Sequence, residues 1–369
     1  MYIWIEDGFS ISKGAGIGQY SSNLYSYLKK LPEIKAVELI PKPSLEKIKL
    51  RRIRRVLFMV WLETRLQILL SHNKVDVLHF TNYLIPSVRL THTKYVTTIH
   101  DLAAWKVPKT LPRAYVLYIK MAVIKAIEKA DMVFVVSNAV KNELIELLHL
   151  DQRKIRVGYN GLSDDFMCFP EVSKSMANLI KEKYGIKKRF ILFVGTVEKR
   201  KNIITLIKAF NLIKNKLDIQ LVLAGGQGFG FNEIKECLCE SEHKNDIIMT
   251  GQVPESEKIA LYDMASLFVF PSLYEGFGIP LIEAMSRKLP IIASDIPSSR
   301  EIASKAAIYY GPDPYDFNGL ATVIITALEQ ASICNQLIKE GLSRAAKFSW
   351  KGIAPLYFDN YQGLLRETI

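Results

Sequence analysis

The sequence predicts an α/β protein made of two doubly wound domains, each built on a parallel sheet. Its 369 residues exceed what a single hydrophobic core usually serves. Short apolar segments alternate with helical patterns, which is typical of βαβ units. This alternation occurs in two series, separated by a stretch around residues 160–189 that we expect to be irregular. We therefore expect two sheets, each covered by helices on both faces.

Each series contributes a set of predicted strands. The first series consists of YIWI near the start, AVELI (36–40), DVLHF (76–80), YVTTIH (95–100), MVFVVS (132–137) and IRVGY (155–159). The second consists of FILFVG from residue 190, IQLVLAGG, DIIMTG, LFVFPS, PIIAS and AAIYY. Ligands of doubly wound folds bind beyond the carboxyl ends of the strands. Functional residues are therefore expected just after each strand.

Composition excludes several classes of protein. With 49% hydrophobic and 23% charged residues, the chain is an ordinary globular one. The apolar run at residues 56–62 is too short to span a bilayer, and the N-terminus lacks the features of a signal peptide. We therefore expect no transmembrane helix and a cytoplasmic location. The four cysteines, at 168, 237, 239 and 334, fit neither a disulfide framework nor a zinc site.

A formal net charge of +12 predicts an anionic partner. The basic segment at residues 47–55 precedes VLFMVWLETRLQILL, in which Phe58, Trp61 and Leu62 are available for burial. This pattern is typical of helices that lie on anionic membrane surfaces. The alternative is a solvated helix that packs these residues on its own domain. Nucleic acid is not expected as a partner, because no zinc-finger spacing, aromatic RNA-binding motif or helix-turn-helix accompanies the charge.

The stretch YEGFGIPLIE (274–283) carries two carboxylates in a strand, loop and helix context. Gly276 and Gly278 let backbone N–H groups approach a ligand, and Pro280 is predicted to occupy the first helical position. Glu275 in the loop and Glu283 in the helix can accept hydrogen bonds from hydroxyl groups. For Glu283, the alternative is that acidic residues simply suit helix N-termini.

Basic and glycine-rich loops follow two other predicted strands of the second series. After FILFVG come Lys199, Arg200 and Lys201, which can neutralise a diphosphate. Taken alone, this run is more typical of a charged surface. Gly225 and Gly226 end the next strand. Together with YEGFGIPLIE, these strand ends predict a site for an anion joined to a polyol.

The first predicted strand is followed by a glycine loop that contains Gly14, Gly16 and Gly18. It meets the dinucleotide-binding pattern only in part, and the second strand ends in Pro41 and Lys42 rather than in an acidic residue. This weakens the alternative of an NAD-linked sugar-modifying enzyme. For the loop itself, the alternative is a merely tight turn. For the protein as a whole, a further alternative is a non-catalytic protein that binds an anion or nucleic acid.

In chain order, GIGQY, IHDL, VSNAVKNEL, VGTVEKRKN, LAGG, EGFGIPLIE and the terminal FSW and YFDNYQGLL resemble the retaining glycosyltransferases of the GT-B fold. The similarity is to the group 4, mannosyltransferase-like members and covers nearly the whole chain. It implies two Rossmann-like domains that face each other across a cleft. The acceptor-side domain would span residues 1–170 plus 350–369, and the nucleotide-sugar domain residues 171–349.

The resemblance also implies a role for each matching residue. Arg200 and Lys201 would bind the diphosphate, Glu283 the ribose and Glu275 the donor sugar. His100 would lie on the sugar side of the cleft, and it joins Glu275, Arg200 and Lys201 as a catalytic candidate. The remaining donor-binding candidates are glycines and one aromatic residue, which would bind through backbone N–H groups or belong to loops that contact the donor: Gly16, Gly18, Gly225, Gly226, Gly276, Phe277 and Gly278.

The reaction implied is the retaining, metal-independent transfer of a hexose, with no cofactor and no metal site. GDP-mannose is favoured as the donor, with a UDP-sugar as the alternative. The acceptor would be a lipid-linked glycan or a polysaccharide, reached from the inner face of the plasma membrane. Retention could follow a front-face route or a double displacement through Glu275. Residues 286–290 and Arg300 depart from the family pattern, which bears on donor identity.

Overall fold

The structure is a computed structural model that describes residues 1–6, 16–40, 51–89 and 92–366; the side chains of four arginines, at 51, 52, 54 and 55, are not described. Predictions made for Gly14, for Pro41 and Lys42, and for residues 47–50 therefore lie outside the described residues. The chain divides into two units. The first comprises Met1–Leu102, Ala114–Gly161 and Trp350–Ile369, and the second Ala103–Arg113 and Leu162–Ser349.

The sheet of the first unit is parallel, as its apolar strands predict. Its strands are β1 (Tyr2–Glu6), β2 (Ala36–Leu39), β3 (Val77–Phe80), β4 (Lys94–Ile99), β5 (Met132–Val135) and β6 (Ile155–Val157). They lie in the order β2-β1-β3-β4-β5-β6. All described pairs run parallel, with Ile3 opposite both Val37 and Val77. The central strands are fully buried, which explains their continuous apolar sequences.

The sheet of the second unit has the order β12-β11-β10-β7-β8-β9. Its strands are β7 (Phe190–Val194), β8 (Gln220–Ala224), β9 (Ile247–Gly251), β10 (Leu267–Phe270), β11 (Ile291–Ser294) and β12 (Ala307–Tyr310), all parallel. This is the doubly wound order, in which the direction of winding reverses between β7 and β10. The predicted fold class, two parallel α/β sheets, is confirmed.

Helices connect the strands in both units. In chain order they are α1 (Gly16–Leu28), α2 (Arg51–Glu63), α3 (Arg65–His72), α4 (Ala103–Lys106), α5 (Arg113–Lys129), α6 (Asn138–Leu148), α7 (Asp164–Met167), α8 (Lys174–Tyr184), α9 (Ile203–Lys214), α10 (Phe231–Glu240), α11 (Glu255–Met264), α12 (Ile279–Ser286), α13 (Pro297–Ala303), α14 (Phe317–Glu329), α15 (Ala331–Ala345) and α16 (Trp350–Arg366).

The core of the first unit is aromatic and includes the C-terminal helix. Trp350, Tyr357 and Tyr361 of α16 are buried with Tyr20 of α1 and Phe134 of β5. Two of the buried hydroxyl groups are bonded within the core: the Tyr357 hydroxyl donates to the Gly158 carbonyl at 2.8 Å, and the Tyr20 hydroxyl donates to Tyr357 at 3.1 Å. Such bonds satisfy hydroxyl groups that burial would otherwise leave unpaired. Helix α16 is therefore an integral part of the first unit.

Three local predictions are wrong. The stretch around residues 160–189 contains α7 and α8 rather than irregular chain. Gly16 and Gly18, predicted to lie in a loop, form the first turn of α1. Pro280 lies at the second position of α12, because that helix begins at Ile279 with Gly278 as its N-cap. The first error missed two helices, whereas the other two concern where a helix begins, which a sequence specifies least sharply.

Within the described residues, no single helix is long and apolar enough to cross a membrane. One pair of helices, Phe317–Glu329 and Ala331–Phe348, meets the length and composition test jointly, with a bend of 94° between them. The four cysteines are free thiols.

Candidate active site

The candidate site of the second unit lies where the winding of its sheet reverses. The loop after β7 carries Arg200 and Lys201 in a short 3-10 turn, and the loop after β10 carries Glu275. The backbone joins the two loops, because the Leu273 N–H donates to the Arg200 carbonyl at 2.9 Å. Loops that flank the reversal point at the carboxyl ends of the strands are where doubly wound sheets bind ligands.

Arg200 and Lys201 converge on one carboxylate. The Lys201 Nζ lies 2.5 Å from Glu275 Oε1, and the Arg200 guanidinium lies 3.0 Å from Oε2. Arg200 also donates to the Tyr274 carbonyl at 3.0 Å and pairs with Glu198 at 2.8 Å. Both Lys201 and Glu275 are 8% exposed, so this pair is shielded from water. Two cations from one loop therefore reach a single buried anion.

The charge of Glu275 is fixed by these partners. Burial raises the pKa of its carboxyl group, but Lys201 and Arg200 outweigh burial and bring that pKa down to about 2. Glu275 is therefore ionised throughout the physiological pH range. Binding of an anionic ligand by the same two cations stays a prediction.

Glu283 lies in a separate network with two residues of α11. The Lys258 Nζ lies 2.6 Å from Glu283 Oε1, and the Tyr262 hydroxyl donates to Oε2 at 2.8 Å. Burial acts to lower the pKa of Lys258, but Glu283 outweighs it and leaves that pKa raised. Phe166 lies beneath the ammonium group, with its ring centre 5.2 Å from Nζ. Glu283 is thus a buried, oriented acceptor and is not simply a residue that suits a helix N-terminus.

The glycines after β8 allow close packing of backbone. Gly225 has φ +155°, and a Cβ atom there would lie 1.9 Å from the Gly195 carbonyl oxygen. Its N–H donates to the Gly251 carbonyl at 2.9 Å. The carbonyl of Gly226 accepts from the Val197 N–H at 2.8 Å. These contacts hold the loops after β7, β8 and β9 together, and donor binding by Gly225 and Gly226 stays a prediction.

The loop between Glu275 and α12 also requires a glycine. Gly278 has φ +96°, a left-handed conformation that L side chains rarely adopt, and it is the N-cap of α12. Phe277 is buried, and its ring packs edge-on against Phe348 with centroids 5.6 Å apart. The Phe277 side chain therefore anchors the loop, and ligand binding by the backbone of Gly276–Gly278 stays a prediction.

His100 and the two N-terminal glycines belong to the first unit. The His100 Nε2 lies 2.8 Å from the Thr81 carbonyl oxygen, which can only accept, so Nε2 carries the proton. Burial lowers the pKa of His100 and favours the neutral ring, whose Nδ1 is then an acceptor. Tyr20 of α1 packs edge-on against the imidazole at 4.9 Å. The helix that begins at Gly16 and includes Gly18 thus helps to orient His100.

The structure brings some predicted residues together and keeps others apart. Arg200, Lys201 and Glu275 form one contact network, and Glu283 forms another. Sequence reasoning missed Lys258 and Tyr262, whose four-residue spacing places them on one face of α11. That spacing was the available signal, but nothing in ESEKIALYDM marks this face as facing Glu283. Among the described residues, no group of three or more His, Cys, Asp or Glu side chains is placed to hold a metal ion.

Comparison with known proteins finds two family matches. Residues 30–166 match glycosyltransferase family 4, and residues 177–344 match the glycosyl transferases of group 1. O-antigen chain mannosyltransferase B of Escherichia coli is 28% identical over 291 residues, covering 78% of this chain and 74% of that protein. O-antigen chain mannosyltransferase RfbU of Salmonella typhimurium strain LT2 is 26% identical over 320 residues, covering 81% and 84%.

A solved structure shows the same fold. The crystal structure of Anabaena Alr3699/HepE in complex with UDP-glucose superposes with a TM-score of 0.75 at 16% identity, covering 98% of this chain and 100% of that one. One conclusion follows from the two sheets, from the loop and helix that carry Glu275 and Glu283, and from the two family matches. The chain belongs to the group 1 and family 4 glycosyltransferases of the GT-B fold, a retaining family, and is a glycosyltransferase.

Proposed function

We propose that this glycosyltransferase transfers a hexose, with mannose favoured, from a nucleoside-diphosphate sugar to a lipid-linked glycan or polysaccharide. The product would be a surface glycan, made at the inner face of the plasma membrane. Support for mannose and for the acceptor class comes from the two O-antigen mannosyltransferases at 28% and 26% identity. Support for a nucleotide sugar comes from the fold neighbour crystallised with UDP-glucose.

The observation that carries the proposal is the convergence of Arg200 and Lys201 on Glu275. Both cations already reach one anion at the reversal point of the sheet, so they can hold a diphosphate there in place of the carboxylate. When the sugar–phosphate bond breaks, negative charge develops on the β-phosphate. Preorganised cations at that point stabilise the transition state. Since this chain supplies the charge itself, we expect transfer to continue in the presence of EDTA.

Two carboxylates complete the proposed donor site. Glu283, oriented by Lys258 and Tyr262, would accept hydrogen bonds from the ribose hydroxyls. Glu275, once the diphosphate displaces it from the cations, would lie against the donor sugar. The sugar–phosphate bond breaks, the acceptor oxygen forms a new bond to the anomeric carbon, and the acceptor proton passes to the departing phosphate. The backbone of Gly276–Gly278 would bind sugar hydroxyls, and the Nδ1 of His100 would accept from another.

A transfer assay tests this function. The protein is incubated with GDP-mannose, UDP-glucose and related donors, each with and without EDTA, and with lipid-linked or mannose-terminated primers. We expect one donor to yield a glycosylated primer and an equal amount of free nucleoside diphosphate, with the anomeric configuration of the donor retained. Glu283→Ala should weaken the binding of the donor and of every other ribonucleoside diphosphate, because all of them carry the ribose hydroxyls. Transfer that requires a divalent cation, or the absence of transfer from every donor that binds, would contradict the proposal.

A further inference from the structure

Three tyrosines of the first unit, Tyr83, Tyr115 and Tyr118, form a cluster that we call the aromatic corner. The rings of Tyr115 and Tyr118 stack at an interplanar angle of 22°, with centroids 6.3 Å apart. The ring of Tyr83 meets that of Tyr118 at 70°, with centroids 6.4 Å apart. The hydroxyl oxygens of Tyr83 and Tyr115 lie 3.5 Å from each other. Two nearly parallel rings are therefore met by a third that is close to perpendicular.

The aromatic corner lies at the carboxyl edge of the first sheet. Tyr83 follows the last residue of β3 by three positions. Helix α5 has 17 residues, a length of about 25 Å, and it ends just before β5 begins, so its first turns lie at the opposite, carboxyl edge. Those turns carry Tyr115 and Tyr118. His100 follows β4 at the same edge, which is the side on which doubly wound sheets bind ligands.

The loop that carries Tyr83 is held by hydrogen bonds on both sides of the ring. Before it, the Asn82 side-chain oxygen accepts from the Leu84 N–H at 2.6 Å. After it, the Glu63 carboxylate accepts from the Ser87 N–H at 2.7 Å. A surface that is already ordered loses little conformational entropy when it binds a ligand. The aromatic corner is therefore preorganised.

Charged groups lie beside the rings. Tyr83 and Tyr118 line a cavity of about 280 Å³ together with Glu63, Lys125 and apolar side chains such as Leu84. The Lys125 Nζ lies 3.1 Å from Glu63 Oε1. Burial raises the pKa of Glu63, but hydrogen bonds from the backbone of the loop after β3 and from Lys125 outweigh burial and leave that pKa lowered. The cavity thus offers an ionised acceptor and an ammonium donor next to aromatic rings.

This combination matches the chemistry of a sugar. The C–H groups on the face of a pyranose ring are slightly positive and the face of an aromatic ring is negative, so the two attract when they stack. The hydroxyls around the sugar need hydrogen-bond partners, which a carboxylate, an ammonium group and phenol hydroxyls provide. A hydrocarbon chain would desolvate the ion pair between Glu63 and Lys125 without offering it a hydrogen bond. The ring of Tyr115, 40% exposed, is accessible to a ligand.

We propose that the aromatic corner binds two adjoining sugars of the acceptor glycan. One sugar occupies the cavity, where it contacts Tyr83 and Tyr118 and its hydroxyls bond to Glu63 and Lys125. The next sugar of the chain stacks on Tyr115. The inference rests on the proposed function in taking a glycan as the acceptor, and it adds the residues that hold that glycan.

Binding of free oligosaccharides in the absence of donor tests the aromatic corner. The probes are trisaccharides of mannose, glucose, galactose and N-acetylglucosamine, and saturation-transfer NMR measures their affinity for the full chain. We expect at least one of them to bind, and Tyr115→Ala to weaken it about fivefold to tenfold through the loss of one stacked ring. Tyr115→Phe keeps the ring and should stay within about twofold of the wild type. Because this position is exposed, the fold should persist.

Matched variants on the same helix separate this site from general effects. Leu117→Ala removes an apolar side chain that is 63% exposed and lies outside the aromatic corner, and it should leave the affinity unchanged. Lys125→Met should weaken the trisaccharide about threefold or more, because it removes a hydrogen-bond donor. Lys129→Met, at an exposed position, should not. In the transfer assay, Tyr115→Ala should raise the KM for a glycan primer and leave kcat and the affinity for nucleotide unchanged.

The possible outcomes distinguish this inference from the proposed function. Equal trisaccharide affinities of the wild type and Tyr115→Ala, with transfer intact in both, would overturn the inference alone. Transfer from no donor would contradict the proposed function, whereas trisaccharide binding that Tyr115→Ala weakens would still support the aromatic corner. Binding of none of the trisaccharides would overturn it. So would displacement of the bound trisaccharide by octanol, which would assign the cavity to a hydrocarbon chain.

Discussion

At the residue scale, Glu275 occupies the position that the proposed mechanism assigns to a diphosphate. Its carboxylate neutralises Arg200 and Lys201, so a ligand must displace it in order to bind. The carboxylate therefore has two opposing effects. It competes with the diphosphate for the cations, and in the proposed mechanism it lies against the donor sugar during transfer.

These effects predict that Glu275→Gln separates binding from catalysis. Removing the competing charge should tighten the binding of free nucleoside diphosphate by about tenfold, while sugar transfer falls about 100-fold or more. The unliganded variant should be less stable, because Lys201 is left buried without a counter-charge, and nucleotide should therefore raise its Tm more than that of the wild type. Calorimetry, thermal unfolding and the transfer assay measure these effects.

Glu233→Gln is the matched control, since Glu233 pairs with Lys199 of the same 3-10 turn at 2.9 Å. Glu233→Gln should change neither the affinity for nucleoside diphosphate nor the rate of sugar transfer appreciably. If Glu275→Gln weakened diphosphate binding instead, the role of Glu275 would be to hold Arg200 and Lys201 in position for the diphosphate, and the diphosphate would not displace it.

Lys258 is predicted to position Glu283 without touching the reacting atoms. Lys258→Met should weaken nucleoside-diphosphate binding by about tenfold, because Glu283 loses a buried counter-charge and its orientation. Lys258→Arg should restore most of the affinity. Lys183→Met serves as the control. It removes the ion pair between the exposed Lys183 of α8 and Glu257, which lies on the same helix as Lys258. Equal effects of Lys258→Met and Lys183→Met on nucleotide affinity would refute the assignment.

How far the sequence predicts these residues depends on where their signal lies. Arg200, Lys201, Glu275 and Glu283 lie in strand-end motifs, so position and residue type both point to them. The ion pair between Glu275 and the two cations was not predicted, because it depends on a side-chain arrangement that spans two loops. Lys258 and Tyr262 lie inside an ordinary helix, where only the three-dimensional packing reveals their partner.

At the element scale, apolar strands are the best-predicted feature. Strands such as β5 and β10 are buried on both faces, so they appear in the sequence as continuous apolar runs. Helix α8 was missed although it carries ordinary end signals. Ser173 caps its N-terminus by accepting from the Met176 N–H at 3.3 Å, and Gly185 ends it in the left-handed conformation. The start of α1 was also mispredicted, because glycine has a low helix propensity and Gly16 and Gly18 therefore indicate a loop.

The attachment of α16 to the first sheet predicts a specific dependence of stability on pH. His79 of β3 is fully buried, with Nδ1 2.6 Å from the Tyr361 hydroxyl and Nε2 2.7 Å from Thr98 Oγ1. Burial, followed by the charge on His100, lowers the pKa of His79 from 6.5 to about 3. Between these values the unfolded chain binds a proton that the folded chain does not.

The contribution of His79 to stability is therefore fully present above about pH 6.5 and is lost as the pH falls towards 3. We expect the free energy of unfolding to fall by about 1.4 kcal/mol per pH unit within this window, owing to this group alone. Denaturation with urea at several pH values measures the slope. His79→Gln should reduce it, whereas His72→Gln, at an exposed position of α3, should not. Identical slopes for wild type and His79→Gln would contradict the assignment.

At the scale of the whole molecule, the net charge of +12 and the specific site are expected to respond differently to salt. A polyanion such as DNA would be held by many exposed cations, so its affinity should fall steeply, by tenfold or more, between about 50 and 200 mM NaCl. Nucleoside diphosphate, held by two shielded cations, should change affinity by less than about threefold. Fluorescence titrations with both ligands measure the difference. Equally steep losses for both would mean that the nucleotide binds only through general surface charge.

The central claim is that Arg200 and Lys201 hold the diphosphate of the donor. The most direct test is calorimetric titration of GDP and UDP into wild type, Arg200→Ala and Lys199→Ala. Lys199 belongs to the same turn but pairs outward with Glu233, so the two variants each remove one cation from the same three residues. We predict that Arg200→Ala weakens the preferred nucleotide about 30-fold and Lys199→Ala no more than about twofold. Equal losses in the two variants would contradict the account.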